Sequence, residues 1–183
     1  MRLQPHYITN ILFMALIKSV RGFTPVFGNN CFVADNATVI GDVTTGDNCS
    51  IWFNVVIRGD VHYIRIGSYV NIQDGAIVHC TYLKAPVNIG NNVSIAHRAV
   101  IHGCTIHDNV LIGMGAIIMD HAVIESNSVI AAGAVVLENT VVNSGSVFAG
   151  VPAKRLKDVD ASLLEGQVQR IAKNYQNYAD WYK

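Results

Sequence analysis

Seven side chains in this sequence are suited to chemistry together: the histidines His79, His97 and His102, and Arg58, Asp60, Gln73 and Asp74. Imidazole nitrogens suit zinc or ferrous iron, and three of them around one ion leave a fourth position open for water. An arginine, carboxylates and an amide beside such a position form the composition of a hydrolytic or hydration site. The histidines share no linear metal motif, so their convergence depends on the elements that carry them.

Those elements are written into the sequence as a six-residue period. Aliphatic or small residues head the blocks at Val33, Val39, Thr45, Ile51 and Ile57, and small or apolar residues follow four later at Ala37, Val43, Cys49, Val55 and Val61. After a three-residue insertion the frame resumes at Ile66, Ile72 and Val78, and after five more extra residues at Ile89, Ile95 and Ile101. One residue is then missing, and from Ile106 the period runs unbroken to Phe148. A hexapeptide period is the signature of a parallel β-helix, in which each repeat buries its head only by stacking on its neighbours. Val, Ile and Thr favour the short strands, and Gly-Asp, Asp-Asn and Ser-Asn pairs favour the turns. An open α/β sheet would need amphipathic helices between strands, and none is legible before residue 158. The expected fold is mainly β: a parallel β-helix of hexapeptide repeats with a C-terminal α-helix.

The frame turns spacing into position. His79 follows the head Val78, His102 follows Ile101, and three blocks separate those heads; if three blocks make one coil, the two histidines stack on one face. Arg58 follows Ile57 and joins the same column once the insertion is set aside. Neighbouring strands lie about 4.8 Å apart, and two nitrogens on one tetrahedral zinc lie about 3.3 Å apart, so small tilts bring both imidazoles to one ion. His97, third in the block headed by Ile95, lies about 16 Å of extended chain from His102 and around a corner. A second copy related by a threefold axis would supply it, which predicts a homotrimer with three-histidine sites between subunits. Gln73 follows the head Ile72 on the preceding face, with Asp74 beside it, and Asp60 lies two residues past Arg58. His6, His62, His107 and His121 share no column and are expected to be surface groups.

The 183 residues carry 13 basic and 13 acidic side chains with no basic run, which leaves no electrostatic footprint for nucleic acid or an anionic membrane. Cys31, Cys49, Cys80 and Cys104 form no C-x-x-C pair, and reduced thiols in a cytosolic protein are the expectation. Residues 1–21 read as an N-terminal leader whose apolar stretch Ile8 to Ile17 is too short to span a bilayer, and Met14 is a candidate natural start because Ala15 to Phe27 then reads as the short strand and turn that enter the β-helix. Residues 22–155 form the β-helix and 156–183 the helix, capped by Asp160 or Ser162. Its stripe Leu164, Val168, Ile171, Tyr175, Tyr178 and Tyr182 must be buried against the coils or a neighbouring subunit.

The motifs Arg58-Gly59-Asp60, Asn71-Ile72-Gln73-Asp74-Gly75, His79, Ala96-His97 and Ile101-His102-Gly103-Cys104 resemble the signature of the gamma-class carbonic anhydrases and their bacterial homologues over about residues 22–155. The resemblance implies a left-handed β-helix, a homotrimer binding Zn2+ or Fe2+ through His79 and His102 of one chain and His97 of the next, and reversible hydration of carbon dioxide to bicarbonate. It further implies that Gln73 polarises the activated water, that Asp60 and Arg58 order the surrounding network, and that Asp74 pairs with Arg58 across the interface. The loop after His79, Cys80-Thr81-Tyr82-Leu83-Lys84-Ala85-Pro86, lacks the acidic residues of the archaeal members, so the resemblance is nearer to the bacterial homologues and the hydration activity is expected to be weak. Two alternatives are a hydrolase or thioesterase-like activity at the same metal, and a hexapeptide acyl- or acetyltransferase using coenzyme A with His97 or His121 as base.

Overall fold

The computed structural model describes residues 14–182; the leader reading of residues before Met14 lies outside them. The described chain is a parallel β-solenoid. One face is an eight-stranded sheet, and the other two faces belong to a single eleven-stranded sheet. That sheet wraps a corner because Thr38–Thr45 and Val56–Ile66 are long enough to serve both of its faces: Val56, Ile57 and Arg58 pair with Ile77, Val78 and His79, while Ile64, Arg65 and Ile66 pair with Val87, Asn88 and Ile89. The three-residue insertion is therefore extra strand. The bend is tight, since a Cβ on Gly59 would sit 2.6 Å from the Asp42 carbonyl oxygen.

The heads of the period are the core. From Val39 onward they are almost fully buried and form one stack with the small residues of the second inward position. At the corners, Asn48, Asn92, Asn109 and Asn127 adopt positive φ. Asn tolerates this conformation better than branched residues do, which explains why amide residues recur between strands.

Leu16–Lys18 adds to the solenoid by pairing in parallel with Thr38, Val39 and Ile40. At the other end Lys154–Asp158 runs antiparallel to Ser146–Ala149 and turns the chain outward. The helix begins after Asp160, whose side chain accepts from the Leu163 N–H at 2.8 Å, as the capping argument expects. It runs as Ala161–Leu163, a wider turn over Leu164–Gln169, and Arg170–Asp180. Its stripe packs on the chain's own eight-stranded face: Val168, Leu163, Leu164 and Ile171 cover Leu111, Val129 and Val147, and Tyr175 and Tyr182 meet Trp52 edge-on.

Candidate metal centre

The column read from the period is present. Arg58, His79 and His102 occupy successive rungs in parallel register, Arg58 opposite His79 and His79 opposite His102. The two imidazoles face each other, with His79 Nδ1 and His102 Nε2 3.1 Å apart. That separation is close to the spacing of two nitrogens on one tetrahedral ion.

Each ring turns its far nitrogen to a carboxylate. His102 Nδ1 lies 2.5 Å from Asp120 Oδ1, and Asp120 Oδ2 accepts from the Thr81 hydroxyl at 2.5 Å. His79 Nε2 lies 3.4 Å from Asp60 Oδ1, while Asp60 Oδ2 accepts from Arg58 at 2.7 Å. Burial alone would raise both carboxyls, but Arg58 holds Asp60 below the usual carboxylate range, and Thr81 and His102 do the same for Asp120. Both are ionised at neutral pH. Burial, then the Arg58 charge and then His102 depress the pKa of His79, so its ring is neutral at pH 7.

At 3.1 Å the facing nitrogens His79 Nδ1 and His102 Nε2 have room for at most one proton between them. Among the described residues, His79 Nε2 and Asp60 Oδ1 are the buried side-chain polar atoms left without a hydrogen-bond partner. A cation between His79 Nδ1 and His102 Nε2 would leave the ring protons on the far nitrogens, with that of His79 directed at Asp60 Oδ1 and that of His102 at Asp120. Ring nitrogens facing an ion, each backed by a carboxylate on the opposite nitrogen, form the usual outer shell of histidine metal sites. The residues present fit a metal.

The third histidine lies elsewhere. His97 Nδ1 is 2.9 Å from Asp74 Oδ2, and its Nε2 is 3.4 Å from the Tyr175 hydroxyl. His97 and Asp74 are both partly exposed. Among the described residues no three metal-ligating side chains come together within the chain. Gln73 is buried, donates from Nε2 to Asn71 Oδ1 at 2.9 Å, and keeps its carbonyl oxygen free as an acceptor. Asn71 in turn donates to Ser94 Oγ at 2.7 Å, which fixes the amide orientation. Gln73 and His97 line the same groove, about 610 Å³, under the C-terminal helix. His107 and His121 are exposed as expected, and His62 Nδ1 accepts from the Tyr63 N–H at 2.9 Å; His6 lies outside the described residues.

Sequence reasoning missed Asp120, Thr81 and Tyr175. Asp120 carried a signal, since it lies two residues past Ile118, which pairs with Ile101 on the adjacent rung. Thr81 is placed by the five-residue insertion, where a bridge between Thr81 and Ala85 closes the loop. Tyr175 arrives through helix docking, which no strand period encodes.

Other proteins share this architecture. The family described as bacterial transferase hexapeptide (six repeats) matches residues 24–59 and 103–138. A carbonic anhydrase of Geobacillus kaustophilus is 43% identical over 168 residues, 92% of this chain and 91% of that one. Gamma carbonic anhydrase 2, mitochondrial, of Arabidopsis thaliana is 43% identical over 162 residues, 85% of this chain but 58% of that one, so the chain spans little more than half of that relative. The crystal structure of a hexapeptide transferase family protein from Anaplasma phagocytophilum superposes with a TM-score of 0.87 at 38% identity, covering 92% of this chain and 98% of that one. The N-acyltransferase AntD of Bacillus cereus, at 17% identity and a TM-score of 0.65, shares the fold alone. With similarity spanning nearly the full length of bacterial relatives as well as the repeat itself, the protein belongs to the hexapeptide-repeat family, among the members named carbonic anhydrase and gamma carbonic anhydrase.

Proposed function

We propose that the protein catalyses the reversible hydration of carbon dioxide to bicarbonate at a Zn2+ or Fe2+ site between subunits of a homotrimer. His79 Nδ1 and His102 Nε2 of one chain and His97 of the next would hold the ion. The observation that carries this reading is the 3.1 Å approach of the two ring nitrogens, each ring backed by a carboxylate. Such an ion supplies Lewis-acid activation of water and lowers its pKa towards about 7, the figure general to carbonic anhydrase zinc rather than one obtained from this site.

The chain's own residues do the rest. Asp120, held by Thr81, fixes the proton of His102 on Nδ1, and Asp60, held by Arg58, receives the proton of His79. The free carbonyl oxygen of Gln73 is an acceptor that orients the proton of an attacking water. Asp74 orients His97 through Nδ1, and Nε2, 3.4 Å from the Tyr175 hydroxyl, is the nitrogen that would turn to the ion of a neighbour. A cytosolic setting, read from four unpaired thiols, belongs to the same proposal; among the described residues no helix is long and apolar enough to cross a membrane.

The test is metal content measured together with carbon dioxide hydration, on protein purified without chelator and again after loading with zinc or anaerobic ferrous iron. About one metal per chain with hydration is expected; metal without hydration would end the carbon dioxide reading. A second reading, acyl transfer with His97 as base, draws on the groove of about 610 Å³ in which His97 meets Leu111, Met114 and Ile171. Saturable acetyl-coenzyme A binding by metal-free protein would favour it.

The outer carboxylate gives a separate expectation. Asp120→Asn removes the charge behind His102, and zinc affinity measured by competition with a chromophoric chelator should fall about 10- to 100-fold, the usual loss on removing such a partner. Unchanged affinity would remove Asp120 from the site.

A further inference from the structure

The proposed chemistry uses none of the four cysteines, yet two of them stand in a reactive arrangement. Cys31 and Cys49 occupy the second inward position of successive coils. Phe32 and Val33 pair in parallel with Ser50 and Ile51, and the Phe32 N–H donates to the Cys49 carbonyl at 2.9 Å. Cys31 therefore faces Cys49 across one rung, about 4.8 Å between strands, within the roughly 4.4–6.8 Å between Cα atoms that a disulfide spans.

Their surroundings differ. The Cys31 sulfur is half-buried and lies 3.3 Å from the Gly46 carbonyl oxygen, while the buried Cys49 thiol donates to the Gly67 carbonyl oxygen at 3.1 Å. The Thr45 hydroxyl lies 3.7 Å away, and because its oxygen already accepts from the Gly28 N–H at 3.3 Å, its proton is available to the sulfur. The neighbouring Cys49 thiol is the largest cause that brings the Cys31 thiol down to about 6, against the opposing effect of burial. The same neighbour, then burial, pushes Cys49 far up. Cys49, Cys80 and Cys104 are each at most 3% exposed, and burial pushes Cys80 up to about 12 and Cys104 higher still.

We propose that Cys31 and Cys49 are a peroxide-reactive pair, Cys31 the attacking thiolate and Cys49 the resolving thiol, which closes an intrachain disulfide between adjacent coils. In the first step the Cys31 sulfur attacks one oxygen of hydrogen peroxide; the S–O bond forms, the O–O bond breaks and hydroxide leaves. In the second the Cys49 sulfur attacks Cys31; the S–S bond forms, the S–O bond breaks, and the Cys49 proton leaves with the oxygen as water. Two electrons pass from the sulfurs to the peroxide.

The test uses full-length protein treated with one equivalent of hydrogen peroxide at pH 7, followed by thiol counting and peptide mapping. Free thiols should fall from four to two through one linked Cys31–Cys49 peptide, with Cys80 and Cys104 unmodified in the same sample. Alkylation of Cys31 by iodoacetamide should rise through a midpoint near 6. In Cys49→Ser the link should vanish and dimedone should label Cys31 as its sulfenic acid. Alkylation of Cys31 no faster than that of Cys80, or oxidation of Cys31 in the native protein without linkage to Cys49, would overturn the proposal.

Discussion

Replacing His97 with alanine is expected to strip the protein of metal as completely as replacing His79, although the two side chains do not meet within one chain. His79 and His102 face each other at 3.1 Å, while His97 is held by Asp74 and Tyr175 away from them. Two histidines bind zinc far more weakly than three, so losing the ligand from the second subunit should empty the site. Metal per chain after dialysis against a weak chelator reports the result. Co-expression of His97→Ala with His79→Ala sharpens it: a chain with intact His97 then meets a chain with intact His79 at about one interface in four of randomly mixed trimers. Recovery of about a quarter of the metal is the outcome a shared site requires. Full occupancy in His97→Ala alone, or no recovery in the mixture, would sink the interface model.

The second large effect lies in the core beneath the site. Ile101→Ala should cost about 2–5 kcal/mol of stability, the range for large-to-small changes at buried sites. Ile101 is 0% exposed and stacked between Val78 and Ile118 on adjacent rungs. Coils of a solenoid contact only their neighbours, so the stack has few ways to collapse into the cavity. Ile77 lies in the same sheet but points outward at 43% exposure, and Ile77→Ala should change stability by no more than about 0.5 kcal/mol. Urea midpoints of the two variants decide the matter. Equal losses would contradict the inward and outward assignment on which the column rests.

What could be read before folding was whatever the period controls. It placed the inward heads, the column of Arg58, His79 and His102, and the separation of His97 from it, because each follows from counting residues modulo one coil. It assigned the helix stripe a burial partner, and Val168 with Ile171 occupies the chain's own sheet face. Contacts between a column and an insertion were not legible. Thr81 reaches Asp120 only because five extra residues form a closed loop after His79, and spacing says nothing of how a loop folds back. Asp120 was obscured for another reason: an acid two residues past a head reads as a turn former. Within the chain Asp74 lies against His97 and Arg58 pairs with Asp60, and the period names neither partner. Choices among nearby charged partners depend on side-chain reach, which a repeat frame does not contain.

The rungs of the solenoid have one further consequence. Residues one past each head form a continuous file on the outer wall, from Ile40 through Arg58, His79 and His102, with Met119 and Leu137 continuing beyond it. Backbone hydrogen bonds set the interval between members of that file, whatever side chains it displays. The wall therefore works as a ruler with interchangeable marks, on which ligands can be gained, lost or moved by one division while the core behind them keeps the same packing.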